Sequence, residues 1–526
     1  MKANDDHPGQ RPDVLPITKP IVICRLTNAA LMVLLVTVVF LAPAVIVIRD
    51  LTDSHIRTGG VPRAAWKLHR ALSPKYAGWA RQRVASNRGL ELSKSDISGT
   101  EWPLFGSVFY LWATEALQDD WDANQLAFIA PQVYAKEAIE AAAELVIDPK
   151  QAGWVKQHWG ENYLKQENAF YRMLVIAALT SHARLTGDKQ HLELLRDQVE
   201  SLSAEISASP HGLLEDYPSE CYPGDVLTAI ATIRKADQVL GTDHSAFCAQ
   251  AIRGFQGRLV DVWGLVPYAG NARNGTAVGP SRGCGNSYFS LFSPGIWPEQ
   301  AKKWYELYEQ HFWQEREGMA GFREFPKEMR GQDWYADVDA GPVISGVGFA
   351  ASAFGIGAAR VNGRFDHAYP LTAELYAASW PLPNRTLLLP RLLSNAADAP
   401  YLGEAAILFV LTRSPAPGFP VTTGGSIPTV VFIGIAVQLV IGLGLVTACF
   451  FSLRRWLRNR PNMIALLPRA QFRTWLGFLL TGLAVLLVDQ VAITVILLLL
   501  AQFFPGCRKR SLSVEFSCPP SSLPLR

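Results

Sequence analysis

Residues 215–240 read EDYPSECYPGDVLTAIATIRKADQVL, an acidic and aromatic loop that runs into an apolar segment. From residue 226 to residue 240 the apolar side chains recur every three to four positions, which is the period of an α-helix. The loop before this helix contains Pro218 and the pair Pro223 and Gly224, which interrupt regular structure. A loop of this composition followed by an apolar helix is the unit that organises residues 55–415.

The same helical period recurs along this whole region, and very few segments alternate as strands do. The clearest predicted helices cover residues 105–117, 134–146, 170–185, 192–206, 226–240, 247–262, 298–312, 343–359 and 403–411. Gly, Pro and Asn clusters separate them. The pattern therefore predicts an all-α domain.

Loops rich in acids, aromatics and Gly precede several of these helices at a regular spacing. One marker can be taken from each loop: Glu101, Glu167, Cys221, Cys284, Asp337 and Tyr401, with gaps of 66, 54, 63, 53 and 64 residues. A helical hairpin with its loops occupies about this length, and six hairpins can close into a ring. We therefore expect an (α/α)6 toroid whose six loops meet at one mouth, where a ligand pocket would lie. The ordinary alternative for each acid is a helix N-cap.

Three apolar segments flank this domain. Residues 27–48 carry no charge and lie between Arg25 and Arg49, and the segment is long enough to cross about 30 Å of hydrocarbon as a helix. Residues 428–453 and 475–504 are also long enough to span. A cleaved signal peptide is the alternative for the first segment, but its apolar core is longer than the usual 7 to about 15 residues. We predict three transmembrane helices.

Positive charge predicts the orientation of these helices, because basic loops stay in the cytoplasm. The loop at residues 454–474 contains Arg454, Arg455, Arg458, Arg460, Arg469 and Arg473, and the N-terminal tail at residues 1–26 is also basic. The domain at residues 55–415 is then expected on the periplasmic side of a bacterial inner membrane. The tail at residues 505–526 is polar, and its basic residues 508–510 oppose this orientation.

Several classes of protein are disfavoured by composition. The domain has three cysteines, Cys221, Cys248 and Cys284, so at least one should be a free thiol. The net charge of +3 comes largely from the membrane flanks, and no basic stripe predicts nucleic-acid binding. The histidines show no metal-ligand spacing, and Gly346 and Gly348 lack the preceding strand of a nucleotide site. No metal and no cofactor are expected.

Four motifs follow one another between residues 161 and 404: YLKQE at 163–167, LTGD at 185–188, GLLEDY at 212–217 followed by Cys221, and GVGFAASAF at 346–354. In the order and spacing of these motifs, residues 161–404 resemble the linalool dehydratase/isomerase family. The resemblance implies an (α/α)6 toroid in the periplasm that uses no cofactor. It also implies acid/base chemistry that adds or removes water, or moves a hydroxyl, on monoterpene alcohols.

The resemblance places Cys221 at one of the two cysteines of the family site. The second cysteine has no counterpart, because its place falls around residues 214 and 215, and the family histidine falls near Glu167. An acid in the first loop of the ring would correspond to Glu101 or Asp96. A carboxyl group can replace imidazole when burial raises its pKa. These departures suggest a relative with a different substrate.

Dehydration or hydroxyl migration needs a proton donor, a proton acceptor and a dry apolar wall. The predicted catalytic residues are Glu167, Cys221, Glu215, Asp216, Glu220, Asp337 and Asp339. The predicted substrate-binding residues are Glu101, Trp102, Tyr171, Tyr217, Tyr222, Asp225, Arg282, Cys284, Asn286, Tyr288, Trp334 and Tyr335. The prediction is a membrane-anchored lyase or isomerase of an isoprenoid or other allylic alcohol.

Two other functions use the same residues. A carbohydrate-active toroid, which would be a glycoside hydrolase, lyase or epimerase, would pair Glu167 or Glu220 with Asp337 across a sugar bond. A non-catalytic envelope binding domain is the third alternative. The expected partners are the membrane and a small hydrophobic or carbohydrate molecule, and a homo-oligomer is compatible with all three. For Asp337 and Asp339 a helix cap is the simpler interpretation.

Overall fold

A computed structural model describes residues 14–15, 19–316, 318–459 and 467–468, with side chains described within 25–316 and 318–458. The described residues are mostly helical and contain only short strands, so the predicted all-α class is confirmed. The chain divides into two compact units: residues Met1–Leu41 with Leu439–Arg526, and residues Ala42–Gln438.

The helices are numbered in chain order. They are α1 (Lys19–Val36), α2 (Ala42–Leu51), α3 (His55–Thr58), α4 (Arg63–Ala85), α5 (Arg88–Glu91), α6 (Ile97–Asn124), α7 (Pro131–Tyr134), α8 (Lys136–Ile147), α9 (Gly153–Trp159), α10 (Ala169–Thr186), α11 (Leu192–Ala208), α12 (Pro223–Leu240), α13 (Ser245–Ala251), α14 (Gly283–Phe292), α15 (Pro298–Phe312), α16 (Phe349–Val361), α17 (Phe365–Ser379), α18 (Leu388–Ala396), α19 (Leu402–Leu411) and α20 (Thr429–Asn459). A π-helical turn, Thr37–Leu41, joins α1 to α2.

The strands are short and mostly form antiparallel hairpins. They are β1 (Val14–Leu15), β2 (Ala269–Asn271), β3 (Thr276–Val278), β4 (Trp313–Arg316), β5 (Met319–Phe322), β6 (Trp334–Asp337), β7 (Gly341–Ile344), β8 (Val347–Gly348) and β9 (Leu467–Pro468). The sheets have the orders β1-β9, β2-β3, β4-β5 and β6-β7-β8.

Two helices are long and apolar enough to cross a membrane, namely Arg25–Leu51 and Thr429–Arg458. They cover the predicted transmembrane segments at 27–48 and 428–453. The predicted third segment at 475–504 and the polar tail at 505–526 lie outside the described residues, as does most of the basic loop at 454–474.

Six helices of the larger unit contact one another in a closed cycle. In order around the cycle they are α6, α10, α12, α14, α16 and α19, and α19 contacts α6 again. One residue near the N-terminus of each helix lines a single cavity: Glu101, Phe170, Asp225, Cys284, Ala350 and Leu402. The six central helices therefore all begin at the same end of this unit, which we call the mouth end, and terminate at the far end.

A second set of helices packs on the central ones. Helix α8 contacts α6 and α10, α11 contacts α10 and α12, and α17 contacts α16. The connection between α16 and α17 is only the three residues 362–364, so these two helices run antiparallel. Helix α17 accordingly starts at the far end and finishes at the mouth end.

Buried charges tie three central helices together towards the far end. Glu115 on α6 is 2% exposed, and its carboxylate pairs with Lys235 on α12 and with Arg184 on α10, the latter at 3.2 Å. Because an unpaired buried charge is costly, these pairs hold the three helices in one register.

Two predicted helices differ most from the structure. The helix expected at 343–359 begins only at Phe349, because β7 and β8 occupy the preceding residues. The helix expected at 247–262 ends as α13 at Ala251 and continues as two 3-10 turns. At Gly254 a Cβ atom would lie 2.8 Å from the carbonyl oxygen of His211, so the backbone packs too closely there for an ordinary buried helix.

Candidate functional site

A cavity of about 480 Å³ lies among the N-terminal ends of the six central helices. Four carboxyl groups line it: Glu101, Glu220, Asp225 and Asp339. The other polar groups on its surface are tyrosine hydroxyls, the indole of Trp102 and the thiol of Cys284. No Lys, Arg, His, Asn or Gln among the described residues lines this cavity. A positive charge does act on one of its acids from outside the lining, because the charge of Arg282 opposes the burial that raises the pKa of Asp339.

The central helices give the cavity a polar mouth and an apolar floor. On α6, Glu101, Phe105 and Phe109 all line the cavity at successive intervals of four residues, so they lie on one face of the helix. The carboxyl group is therefore nearest the mouth, and the two rings lie progressively deeper. Cys284 and Tyr288 on α14 repeat this order.

Aromatic rings close the floor. The ring of Phe354 on α16 lies 5.7 Å from that of Phe109 and 5.5 Å from that of Tyr288, measured between centroids. Phe109 also stacks on Phe409 of α19 at 4.9 Å. Such contacts add to the stability gained by apolar burial. The floor is therefore a packed aromatic wall contributed by four helices.

Three carboxyl groups at the mouth, those of Glu101, Asp225 and Asp339, have raised pKa values and so retain protons more strongly than exposed acids do. Burial raises the pKa of Asp225 to about 8, and repulsion from Glu101 and Asp339 adds to this shift. Burial likewise raises the pKa of Glu101 to about 7; a hydrogen bond with Tyr217 opposes the shift, and the charges of Asp339 and Glu220 add to it. Carboxylates held together in a dry site cannot all ionise at once. The cluster thus holds a proton near neutral pH.

Tyrosine hydroxyls hydrogen-bond to these acids. Tyr217 bonds to Glu101, Tyr268 bonds to Asp339, and the Tyr222 hydroxyl donates to Glu220 at 3.1 Å. Burial, followed by the neighbouring negative charges, raises the pKa of each phenol above its usual range. All three hydroxyls therefore remain donors at neutral pH.

Cys284 lies beside a fully buried acid. The Cys284 thiol and backbone N–H each donate to the Glu324 carboxylate at 3.1 Å. Arg282 donates to the same carboxylate at 2.7 Å and to Asp337 at 2.8 Å. Burial and then the charge of Glu324 raise the pKa of the Cys284 thiol well above its usual range. Cys284 is therefore a protonated thiol on the cavity wall.

Several predicted catalytic acids shape the loop at residues 215–222. Glu167 accepts the backbone N–H of Glu215 at 2.7 Å, and Glu215 accepts the N–H of Ser219 at 2.7 Å. Asp216 accepts the N–H of Tyr222 at 2.5 Å. Burial and the nearby Asp225 raise the pKa of Asp216 well above its usual range. In this geometry these groups hold the loop that carries Tyr217, Glu220 and Tyr222 to the cavity.

The structure brings about half of the predicted site residues together. Those that line the cavity are Glu101, Trp102, Tyr217, Glu220, Tyr222, Asp225, Cys284, Tyr288 and Asp339. Those outside its lining are Glu167, Glu215, Asp216, Cys221, Tyr171, Arg282, Asn286, Trp334, Tyr335 and Asp337. Cys221 and Glu215 instead line a separate cavity of about 140 Å³ with Arg273. Asp96, the other candidate for the first loop, accepts the N–H of Gly99 at 3.0 Å and caps α6.

Asp337 and Asp339, for which a helix cap was the simpler interpretation, lie in a β-hairpin. Asp337 ends strand β6, and Asp339 lies in the turn to β7. Asp337 accepts the N–H groups of Asp339 and Ala340 at 3.1 and 2.7 Å, so it stabilises a hairpin turn and not a helix. The turn directs Asp339 to the cavity.

Other residues of the site were absent from the sequence-based set. They are Phe105, Phe109, Phe170, Tyr268, Phe354 and Glu324. The four-residue spacing from Glu101 could have identified Phe105 and Phe109. Tyr268 and Glu324 come from irregular segments, and no local pattern marks them.

The cysteines Cys221, Cys248 and Cys284 are all free thiols, which agrees with the expectation of at least one. In the part of the chain that the structure describes, no three His, Cys, Asp or Glu side chains are placed to hold a metal ion. No family model matches the chain, and no curated protein matches it.

Proposed function

We propose that residues 55–415 form an (α/α)6 toroid and that the chain is a distant, membrane-anchored relative of linalool dehydratase/isomerase. The closed cycle of six central helices, with further helices packed outside it, supports this architecture. The common cavity at the N-terminal ends of the central helices supports it as well.

On this basis we infer a cofactor-independent lyase or isomerase that removes water from an isoprenoid or other allylic alcohol, or moves its hydroxyl group. The observation that carries the inference is the carboxyl cluster above an aromatic floor. The pKa of Asp225 is about 8 and that of Glu101 is about 7. One group can therefore hold a proton while the other is ionised, which is what acid/base catalysis at neutral pH requires.

The reaction follows from these protonation states. Asp225 donates its proton to the substrate hydroxyl, and the C–O bond breaks with its electron pair leaving on water. Ionised Glu101 then takes a proton from the carbon next to the allylic cation, and the electrons of that C–H bond form the new C=C bond. Return of water to the other end of the cation gives hydroxyl migration instead. Proton transfer by a positioned side chain contributes about 10² to 10⁴-fold to such rates.

The floor suits the cationic intermediate. The faces of aromatic rings attract positive charge, and Phe105, Phe109, Tyr288 and Phe354 surround the lower part of the cavity. The excess of carboxyl groups above them also favours a cation. A dry wall keeps bulk water from the intermediate until it has lost its proton.

The same lining argues against a sugar or an anionic substrate. A sugar presents several hydroxyl groups, and its binding needs donors and acceptors of both kinds around the ring. In the described part of the chain the cavity offers no amide side chain for this purpose and no basic residue that could pair with a uronic acid. We therefore prefer the hydrophobic alcohol to the carbohydrate alternative.

The test is conversion by the purified full-length protein in detergent. A set of isoprenoid alcohols and a set of envelope oligosaccharides are incubated in parallel, and the products are identified by mass spectrometry. We expect loss of water or hydroxyl migration in the alcohol set, reduced about 100-fold or more in Asp225→Asn and Glu101→Gln.

Glu374→Gln is the matched control. Burial also raises the pKa of Glu374 on α17 to about 7, but this residue accepts the N–H of Ala320 on β5 and does not line the cavity. Its conversion rate should remain near that of the wild type. Conversion of sugars alone would replace this proposal by the carbohydrate alternative, and no conversion in either set would favour a binding domain.

A further inference from the structure

Helix α18 carries an apolar face that is partly exposed at the surface of the described residues. Leu389, Leu392 and Leu393 are 42%, 41% and 71% exposed, and their spacing places them on one side of the helix. The opposite side packs on α19, where Arg391 pairs with buried Glu404 at 2.8 Å. Contiguous leucines on a surface mark a site of contact with a protein or a membrane.

Helix α18 lies at the mouth end. It connects the end of α17 to the start of α19, and the Ser394 hydroxyl accepts the N–H of Gly403 at 2.9 Å. Leu402 and Gly403 line the cavity. Helix α18 therefore lies beside the first turn of α19, where the cavity is lined.

Other exposed apolar side chains surround the same opening. Val338, in the hairpin turn beside Asp339, is 43% exposed, and Phe349, the first residue of α16, is 52% exposed. Trp334 on the same hairpin is 73% exposed. Exposed apolar side chains therefore occur at the mouth end on α18, on the β6–β7 hairpin and at the start of α16.

The chain of the larger unit enters and leaves at this end, as its contacts along α17 show. Asp50 pairs with Arg385, which follows the mouth end of α17, at 3.5 Å. Further along the chain Arg57 bonds to Tyr369, and Gly59 then packs on Phe365 at the far end of α17. Helix α2 therefore approaches the unit from the mouth end.

Helix α20 leaves in the same direction. Gly425 packs on Asp366 near the far end of α17, whereas Gly434 packs on Ala377 near its mouth end. The chain from residue 425 to residue 434 consequently runs towards the mouth end. Asp50 and Gly434, which belong to the two helices that are long and apolar enough to cross a membrane, therefore both lie towards the mouth end of this unit.

We propose that the mouth end of this unit rests on the lipid bilayer, with Leu389, Leu392 and Leu393 of α18 buried at the boundary of headgroups and acyl chains. An interfacial helix binds in this way through one apolar face. The cavity then opens onto lipid, and an apolar molecule dissolved in the bilayer reaches the carboxyl cluster without crossing bulk water. Contact between the mouth end and the bilayer does not depend on the proposed reaction.

Photocrosslinking tests the proposal in the full-length protein. Benzoylphenylalanine is introduced in place of Leu393, the protein is reconstituted in phosphatidylcholine nanodiscs, and after illumination the peptide carrying residue 393 is analysed by mass spectrometry. The matched control carries the same group in place of Val133, which is 62% exposed and lies on α7 near the far end. Both positions are exposed, so neither change should prevent folding.

We expect a lipid adduct at position 393 at least ten times more abundant than at position 133. A second position, Leu389, should give the same result. Equal lipid adducts at 393 and 133, or none at 393, would overturn the proposal. A crosslink from 393 to another copy of the chain would also overturn it, because the leucine face would then be an interface between copies.

Discussion

The Cys284 thiol donates a hydrogen bond of 3.1 Å to the carboxylate of Glu324, whose side chain is fully buried. The same carboxylate is paired with Arg282 at 2.7 Å. Negative charge beside the thiol stabilises its protonated form, and removing that charge should make the thiol more acidic.

Glu324→Gln should therefore increase the reactivity of Cys284. The amide oxygen can still accept from Arg282, so the fold should survive. We expect alkylation of Cys284 by iodoacetamide at pH 8 to become roughly three to ten times faster, measured by mass spectrometry of the modified peptide. Cys248, whose pKa is raised to about 11 mainly by burial, should react at an unchanged rate. An unchanged rate at Cys284 would show that Glu324 does not control its pKa.

Asp225→Asn should stabilise the domain above neutral pH. The folded-state pKa of Asp225, about 8, lies above its ordinary value of 3.8, so the folded state binds the proton more tightly than the unfolded state. The wild type therefore loses stability as pH rises from about 4 to about 8, and the asparagine variant avoids this loss. The difference in unfolding free energy at pH 8 should be on the order of a few kcal/mol.

Thermal unfolding of the detergent-solubilised protein at several pH values measures this difference. Glu299→Gln is the control, because its exposed carboxyl pairs only with Lys302. That variant should follow the wild type at every pH. Equal stability of wild type and Asp225→Asn at both pH 5 and pH 8 would contradict the buried, protonated state of Asp225.

The conversion rate should have a bell-shaped pH dependence if the proposed reaction is correct. The rate should rise as Glu101 ionises around pH 7 and fall as Asp225 loses its proton around pH 8. Steady-state rates over pH 5 to about 10 give the profile. A rate that keeps rising beyond pH 9 would exclude Asp225 as the proton donor.

Glu167 should behave as a structural residue, although its sequence position suggested catalysis. Its carboxylate accepts the N–H of Glu215 at 2.7 Å and does not line the cavity. Glu167→Gln keeps an acceptor and should retain both stability and conversion. Glu167→Ala should lose roughly 1–2 kcal/mol of unfolding free energy, because it leaves that N–H without its partner. Loss of conversion in the glutamine variant, at unchanged stability, would restore a catalytic role.

Phe354→Ala should alter the length of the alcohol that the cavity accepts. Phe354 contacts Phe109 and Tyr288 at the floor, and its removal opens space below the present cavity. We expect the preference, measured as relative kcat/KM over a chain-length series, to move by about one isoprene unit towards longer alcohols. Phe128→Ala, an exposed ring outside the cavity, should leave the preference unchanged. A uniform fall in kcat/KM for every length would indicate that the ring only supports the fold.

Local patterns predicted the helices well where a single period persists. The helix predicted at 226–240 lies within α12, and the one at 298–312 has the bounds of α15. The helix predicted at 343–359 was placed too early, because its first residues pair as a strand with residues such as Trp334. Those partner residues show neither a helical nor a strand pattern in the sequence, so the pairing could not be predicted from it. Apolar length alone predicted the two described helices that are long and apolar enough to cross a membrane.

The sequence by itself determined the helical class, the two described helices that are apolar enough to cross a membrane, and the loops from which most of the cavity acids come. Only the tertiary structure decided which acids face one another. Glu101, Asp225 and Asp339 come from three separate segments, and burial raises the pKa of each only when the helices pack. Repulsion within the cluster adds to the shifts of Glu101 and Asp225. The tertiary structure also distinguished these acids from Glu167 and Asp216, whose carboxylates accept hydrogen bonds from the backbone of a loop. Hydrogen-bond partners are set by distance in space and not by spacing along the chain.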